Sequence, residues 1–164
     1  MFLISAFYQN IDLCEEIIKL GYYFAAAPLV RQEYEIICQI HEIDKDIRKN
    51  KKVANAKEIE GFGIVYGDLS ILTHLSSCDV IADILSANFQ LKDGQTPISL
   101  VPIVDNQICK MMYGLHIFLI YTIVIYLFDL FDEMYGLDIN EKDKEALSLI
   151  VNILLKEGVL AEHK

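Results

Sequence analysis

Apolar residues recur along this chain at the three- and four-residue spacing of amphipathic α-helices. The first such segment predicts a helix over about 5–20 that stops at Gly21. Its apolar face comprises Phe7, Ile11, Cys14, Ile17 and Ile18. A second helix is predicted over about 22–48, with Pro28 in its early turns. Its recurring apolar positions are Val30, Ile37, Ile40, Ile43 and Ile47.

Glycine, proline and capping residues delimit the remaining elements. We expect helices at about 58–75, 80–89, 106–135 and 141–157, with a loop or small hairpin at about 90–104. Gly136 ends the third of these helices, Asn140 caps the last one and Gly158 closes it. The pattern therefore predicts an all-α, single-domain bundle over residues 1–164, built from five to six helices around a long apolar central helix.

The segment 111–128 has no charged side chain, and about 18 such residues nearly span a bilayer. A helix that is apolar all round is also typical of the buried centre of a bundle. The flanking residues Lys110 and Asp129 give no strong orientation signal, and the rest of the chain is typical of a soluble protein. We interpret the segment as a core helix, with a membrane anchor as the alternative.

Composition limits the partners and the compartment. The 164 residues carry a formal net charge of −10, which disfavours a phosphate backbone as partner. The four cysteines show no C-x-x-C spacing, and no basic, cleavable leader opens the chain. We therefore expect a reduced, cytoplasmic protein without a metal site or cofactor.

Two polar patterns could carry chemistry. Arg31 and Glu35 are four residues apart on the second helix. This spacing fits either a surface ion pair or a partly buried guanidinium that is paired with its carboxylate. Tyr66, Ser70 and His74 follow the same spacing on the third helix. An imidazole there can act as acid, base or hydrogen-bond switch. Alternatively, His74 packs at a helix end and Ser70 bonds the preceding turn.

The segments AAAPLVRQEYE (25–35) and YGDLSILTH (66–74) resemble two motifs of certain bacterial all-helical proteins, R-x-x-x-E and Y-x-x-L-S-x-x-x-H. Those proteins are similar to the HEPN superfamily, helical bundles of phage defence and toxin–antitoxin systems. The resemblance implies a homodimer and one polar cluster between two helices. Its members would be Arg31, Glu35, Tyr66, Ser70 and His74.

Active HEPN ribonucleases carry an arginine four to six residues before a histidine, and residues 68–71 of this chain contain none. We therefore expect an intracellular binding or regulatory module that takes a protein partner or a small ligand. The first alternative is a metal-independent ribonuclease, with His74 as acid or base and Arg31 stabilising phosphate charge. The second alternative is a protein anchored in a membrane by residues 111–128.

Overall fold

Four helices account for nearly all the chain that the computed structural model describes, which is residues 2–46, 54–55, 59, 69–70, 73 and 101–160. They are α1 (Phe2–Lys19), α2 (Tyr23–Asp44), α3 (Asn106–Tyr135) and α4 (Glu141–Lys156). These residues include no strand, so the predicted all-α class is confirmed. The predicted helix at 80–89, and most of the helix at 58–75 and of the loop at 90–104, lie outside the described residues. The count of five to six helices therefore stays a prediction.

Residue contacts divide the chain into two compact units, Met1–Tyr113 and Gly114–Lys164. The predicted single domain over residues 1–164 stays a prediction.

The turn between α1 and α2 is built on Gly21, whose φ of +79° lies in the left-handed region. The amide of Tyr22 donates to the carbonyl of Ile17, and the amide of Gly21 donates to that of Ile18. This pair of bonds is the Schellman arrangement, which satisfies the last carbonyls of a helix and reverses the chain. The predicted stop of α1 at Gly21 is therefore confirmed.

Because the turn is short, α1 and α2 pack against each other along their apolar faces. Phe7, Cys14 and Ile18 of α1 are buried, while the predicted Ile11 and Ile17 are only partly covered. The buried apolar residues of α2 are Tyr23, Ala26, Ala27, Val30, Tyr34, Ile36, Ile37 and Cys38. A hydrogen bond of 3.2 Å from the Asn10 amide to the Gln32 side-chain oxygen also joins the two helices.

The prediction that Ile43 lies on the apolar side of α2 is wrong, because this side chain is 56% exposed. Burial follows four-residue steps that reach Tyr34, Cys38 and Glu42. Each such step turns about 40° around a helix of 3.6 residues per turn, so the buried stripe drifts away from position 43. Glu42 is buried instead, and its Oε1 accepts a 2.6 Å hydrogen bond from the Asn55 amide.

The start of α3 is fixed to the start of α2 through Tyr23. The buried Tyr23 hydroxyl donates to the Asp105 carbonyl at 2.9 Å and accepts from the Asp105 amide at 3.0 Å. The Asp105 carboxylate in turn accepts from the amides of Gln107 and Ile108, at 2.8 and 2.9 Å. Asp105 therefore caps α3, which begins and ends at the residues predicted from the sequence.

Burial along α3 follows one seam, at Met112, His116, Leu119 and Ile123. Most other residues of the segment 111–128 are partly exposed. Helix α3 has 30 residues and contains a window with a mean hydropathy of 2.0. Of the residues in that window, 22% are buried. By length and composition, the helix could therefore cross a membrane.

Helix α4 begins as predicted, because the Asn140 side chain accepts a 3.1 Å hydrogen bond from the Asp143 amide. The glycines that end α3 and α4, Gly136 and Gly158, both have positive φ. Beyond α4, the side chain of Val159 lies against Gly114 on α3 and occupies the place where a Cβ would be. Val159 therefore packs against α3 at a position where the helix has no side chain.

We predict that Gly21→Ala lowers the free energy of unfolding by about 3 kcal/mol, because a left-handed residue with a Cβ costs about 1–2 kcal/mol and a steric clash adds to it. A Cβ at position 21 would lie 2.7 Å from the carbonyl oxygen of Ile103. Urea denaturation followed by circular dichroism measures the change. The matched control is Gly136→Ala, where φ is +62° and an added Cβ would meet no atom of the described residues within 4 Å beyond its chain neighbours, so only the conformational cost of about 1 kcal/mol applies. Equal losses for the two variants would contradict the role of the turn.

Candidate functional site

The predicted pair on α2 forms an ion pair. The Arg31 Nε donates to the Glu35 Oε1 at 3.0 Å, and the two side chains are 19% and 32% exposed. Spacing alone left open whether this pair is solvated or partly buried, and the structure shows a partly buried pair. A guanidinium that has lost most of its water is stabilised by a carboxylate held in hydrogen-bonding geometry.

The position of the pair follows from the faces of α2. Arg31 and Glu35 each come directly after a residue of the buried stripe, Val30 and Tyr34. They therefore lie at the edge of the buried stripe of α2, and both side chains are only partly exposed. Such an edge can present a fixed planar charge pair to a ligand or a partner.

The second predicted group falls mostly outside the described residues. Tyr66 and His74 are not among them, while Leu69, Ser70 and Thr73 are helical and Ser70 is partly buried. The Thr73 hydroxyl donates to the Leu69 carbonyl at 2.6 Å. The convergence of Tyr66, Ser70 and His74 with the Arg31–Glu35 pair stays a prediction.

A buried thiol–carboxylate pair between α1 and α2 was not predicted. Cys14 and Glu33 are both fully buried, and the Cys14 Sγ lies within 4.8 Å of a Glu33 carboxylate oxygen. Burial raises the pKa of the Cys14 thiol far above its usual range, and the nearby Glu33 charge raises it further. The sequence held one signal, because Glu33 lies three residues after Val30 and four before Ile37, on the apolar side of α2.

A second unpredicted cluster joins the end of α1 to the beginning of α3. The Tyr113 hydroxyl donates to the Glu15 Oε1 at 3.0 Å, and the same oxygen accepts a hydrogen bond from Lys19. Partial burial raises the pKa of Tyr113, and the hydrogen bond to Glu15 raises it further. The Cys109 thiol lies near this cluster, 3.9 Å from the Ile18 carbonyl. The hydrogen bond from Tyr113 to Glu15 therefore links the first turns of α3 to the last turn of α1.

The comparisons with known proteins leave the site to be interpreted from its own geometry. No protein-family model matches the chain, and neither a characterised protein nor a solved structure shows significant similarity to it.

We predict that the buried thiols make the fold less stable in alkali. Burial, together with the charges of Glu42 and Glu35, raises the pKa of Cys38 from 9.0 to about 12, and that of Cys14 is raised in the same direction. Above pH 9 the unfolded chain releases these protons while the folded chain keeps them. The stability that depends on them is therefore complete below pH 9 and is lost as the pH rises from 9 through 12.

Urea denaturation at pH 8.0, 9.5 and 10.5 measures this loss, with Cys38→Ala as the control. The variant is expected to lose less stability than the parent chain between pH 8.0 and 10.5, because one of the two linked protons is gone. Identical pH profiles for the two proteins would contradict the burial of the Cys38 thiol.

Proposed function

We propose that this chain is a small intracellular helical module of the HEPN-like type that binds a protein partner or a small ligand. The observation that carries the proposal is the partly buried Arg31–Glu35 pair at the edge of the α1–α2 hairpin. A planar guanidinium that its carboxylate holds in a fixed orientation is suited to directional hydrogen bonding with a neutral acceptor group of a partner. The rigid hairpin pre-organises this charge, which lowers the entropic cost of binding.

The resemblance of the segments 25–35 and 66–74 to bacterial HEPN-like proteins suggests a setting for this binding. We propose that the module acts in phage defence or in a toxin–antitoxin pair. In such a system a regulatory subunit acts by holding its partner, so that neither a metal nor a catalytic base is needed on this chain.

The ribonuclease alternative depends on His74. It would need the Arg31 guanidinium to take the place of the arginine that HEPN ribonucleases carry four to six residues before their histidine. The Glu35 carboxylate is already 3.0 Å from the Arg31 Nε, and this neutralising contact weakens the attraction of the guanidinium for a phosphate backbone. The net charge of −10 acts in the same direction, so the geometry favours binding over RNA cleavage.

A phage-plating assay in a bacterial host that expresses the chain tests the proposed function. We expect the chain to reduce plating, and Arg31→Met to abolish this protection because the oriented guanidinium is lost. Lys45→Met also removes a cation, but from an exposed side chain at the end of α2, and is expected to keep protection. Loss of protection with Lys45→Met but not with Arg31→Met would contradict the assignment of the site.

His74→Ala in the same assay, with cleavage of total RNA as a second readout, separates the two mechanisms. A binding module keeps its protection and leaves RNA intact in both the parent chain and the variant. RNA fragments that appear with the parent chain and disappear with His74→Ala would establish the ribonuclease in place of the binding module.

A membrane-anchored protein is the second candidate function, and one observation favours it. The 30-residue helix α3 has a window of mean hydropathy 2.0, of which 22% is buried. Carbonate extraction of expressing cells tests this candidate, since a spanning helix keeps the chain in the pellet until detergent is added. Recovery of the chain in the detergent-free supernatant would rule the anchor out.

A further inference from the structure

The last two turns of α3 carry an exposed apolar face. Phe131, Met134 and Tyr135 lie on this face, with exposed fractions of 44%, 58% and 62%. Because steps of three and four residues separate them, they share one side of the helix. The rings of Phe131 and Tyr135 are stacked, with centroids 6.0 Å apart and planes inclined by 29°. We call these three residues the α3 platform.

An acidic face adjoins the α3 platform. It consists of Asp129, Asp132 and Glu133, which are all exposed and are also related by steps of three and four residues. Asp132 lies three residues before Tyr135, so the two side chains are neighbours on the helix surface. Among the described residues, none of these three carboxylates takes part in an ion pair. The end of α3 therefore presents negative charge directly beside an aromatic surface.

The chain around this end of α3 adds to the negative charge. Residues 129–145 carry seven acidic and two basic side chains, which gives a formal charge of −5. The basic residues are Lys142 and Lys144, and the Lys144 Nζ already lies 3.1 Å from the Glu141 carboxylate. The last turn of α3 contains no basic residue, so the carbonyl end of the helix dipole adds about half a negative charge. A cation is therefore favoured at this end of the helix.

We propose that the α3 platform and its acidic face bind a cationic amphipathic segment of a partner protein. The apolar side of such a segment covers Phe131, Met134 and Tyr135, while its lysine or arginine side chains reach the carboxylates. Cations also bind the faces of aromatic rings, so the stacked pair attracts the same groups a second time. The flexible thioether side chain of Met134 adapts to the shape of the partner.

Charge distinguishes this partner from other surfaces that would cover the α3 platform. A second copy of the chain brings the same carboxylates, and anionic lipid headgroups carry the same sign, so both are repelled. An apolar segment without cations leaves the carboxylates beside a dry interface with no compensating charge. The α3 platform contains neither Arg31 nor Glu35, so this inference stands independently of the proposed function.

Isothermal titration calorimetry of the full chain with synthetic peptides of about 14 residues, or four helical turns, tests the proposal. A peptide of leucine and lysine at helical periodicity is expected to bind with a Kd on the order of 10 μM. Replacement of its leucines by serine, or of its lysines by glutamate, is expected to weaken binding by about tenfold or more. Absence of binding at about 500 μM, or equal affinity for the three peptides, would overturn the proposal.

Substitutions in the full chain locate the binding surface. Tyr135→Ala is expected to weaken binding of the leucine–lysine peptide by about fivefold or more, because one ring of the stacked pair is lost. Asp132→Lys is expected to weaken it by about tenfold or more, because an attraction is replaced by a repulsion.

The matched controls lie on α1. Tyr8→Ala removes a tyrosine that is 76% exposed, and Asp12→Lys makes the same change in net charge as Asp132→Lys. Each control is expected to change the affinity by less than about twofold. Equal losses in the controls and in the α3 variants would show unspecific attraction to an acidic chain, and this result would overturn the proposal.

Ionic strength provides a second readout of the charges. An increase of NaCl from about 20 to about 300 mM is expected to weaken binding to the parent chain by about tenfold, and binding to Asp132→Lys by less. The same affinity at both concentrations would contradict the role of the carboxylates.

Sedimentation equilibrium and flotation with phosphatidylglycerol vesicles examine the other occupants. We expect neither self-association nor flotation of the parent chain to depend on Tyr135. If Tyr135→Ala abolishes either one and Tyr8→Ala preserves it, the α3 platform binds a second copy or a lipid surface, and the proposal is overturned.

Discussion

The left-handed backbone at Gly21 is the constraint on which the described part of the N-terminal unit depends. It turns α1 back onto α2 over three residues, and its missing Cβ leaves room for the backbone of Ile103. The approach to α3 therefore passes directly over the turn, where the Tyr23 hydroxyl binds both backbone groups of Asp105. One residue without a side chain thus sets the positions of two helices and the beginning of a third.

The charged groups of α2 lie either within the buried stripe of the helix or at its edge. Glu33 and Glu42 lie within the buried stripe, while Arg31 and Glu35 lie at its edge. Burial raises the pKa of the Cys14 and Cys38 thiols, and the nearby carboxylates raise it further, so both behave as small protonated apolar side chains rather than as nucleophiles. At the edge of the stripe, the partly buried Arg31 guanidinium is held by the Glu35 carboxylate.

Helices α3 and α4 leave apolar side chains exposed in the C-terminal unit. Helix α3 is buried along one seam, while α4 buries Leu154 and leaves Leu149 and Ile153 60% and 49% exposed. The two exposed side chains on α4 are ordinary on a folded protein, where apolar atoms supply roughly 55–60% of the accessible surface.

The sequence alone determined the helical class, the ends of α3, the cap at Asn140 and the turns at Gly21, Gly136 and Gly158. These features depend on periodicity and backbone conformation, and both are determined by residues that lie close together in the chain. It also predicted the Arg31–Glu35 pair, because a four-residue step on a helix fixes that contact. Tertiary structure alone decided that the pair is partly buried, that Ile43 is exposed and that Glu33 lies beside Cys14. Burial depends on which helix packs against which face, and that choice is made between residues far apart in the chain.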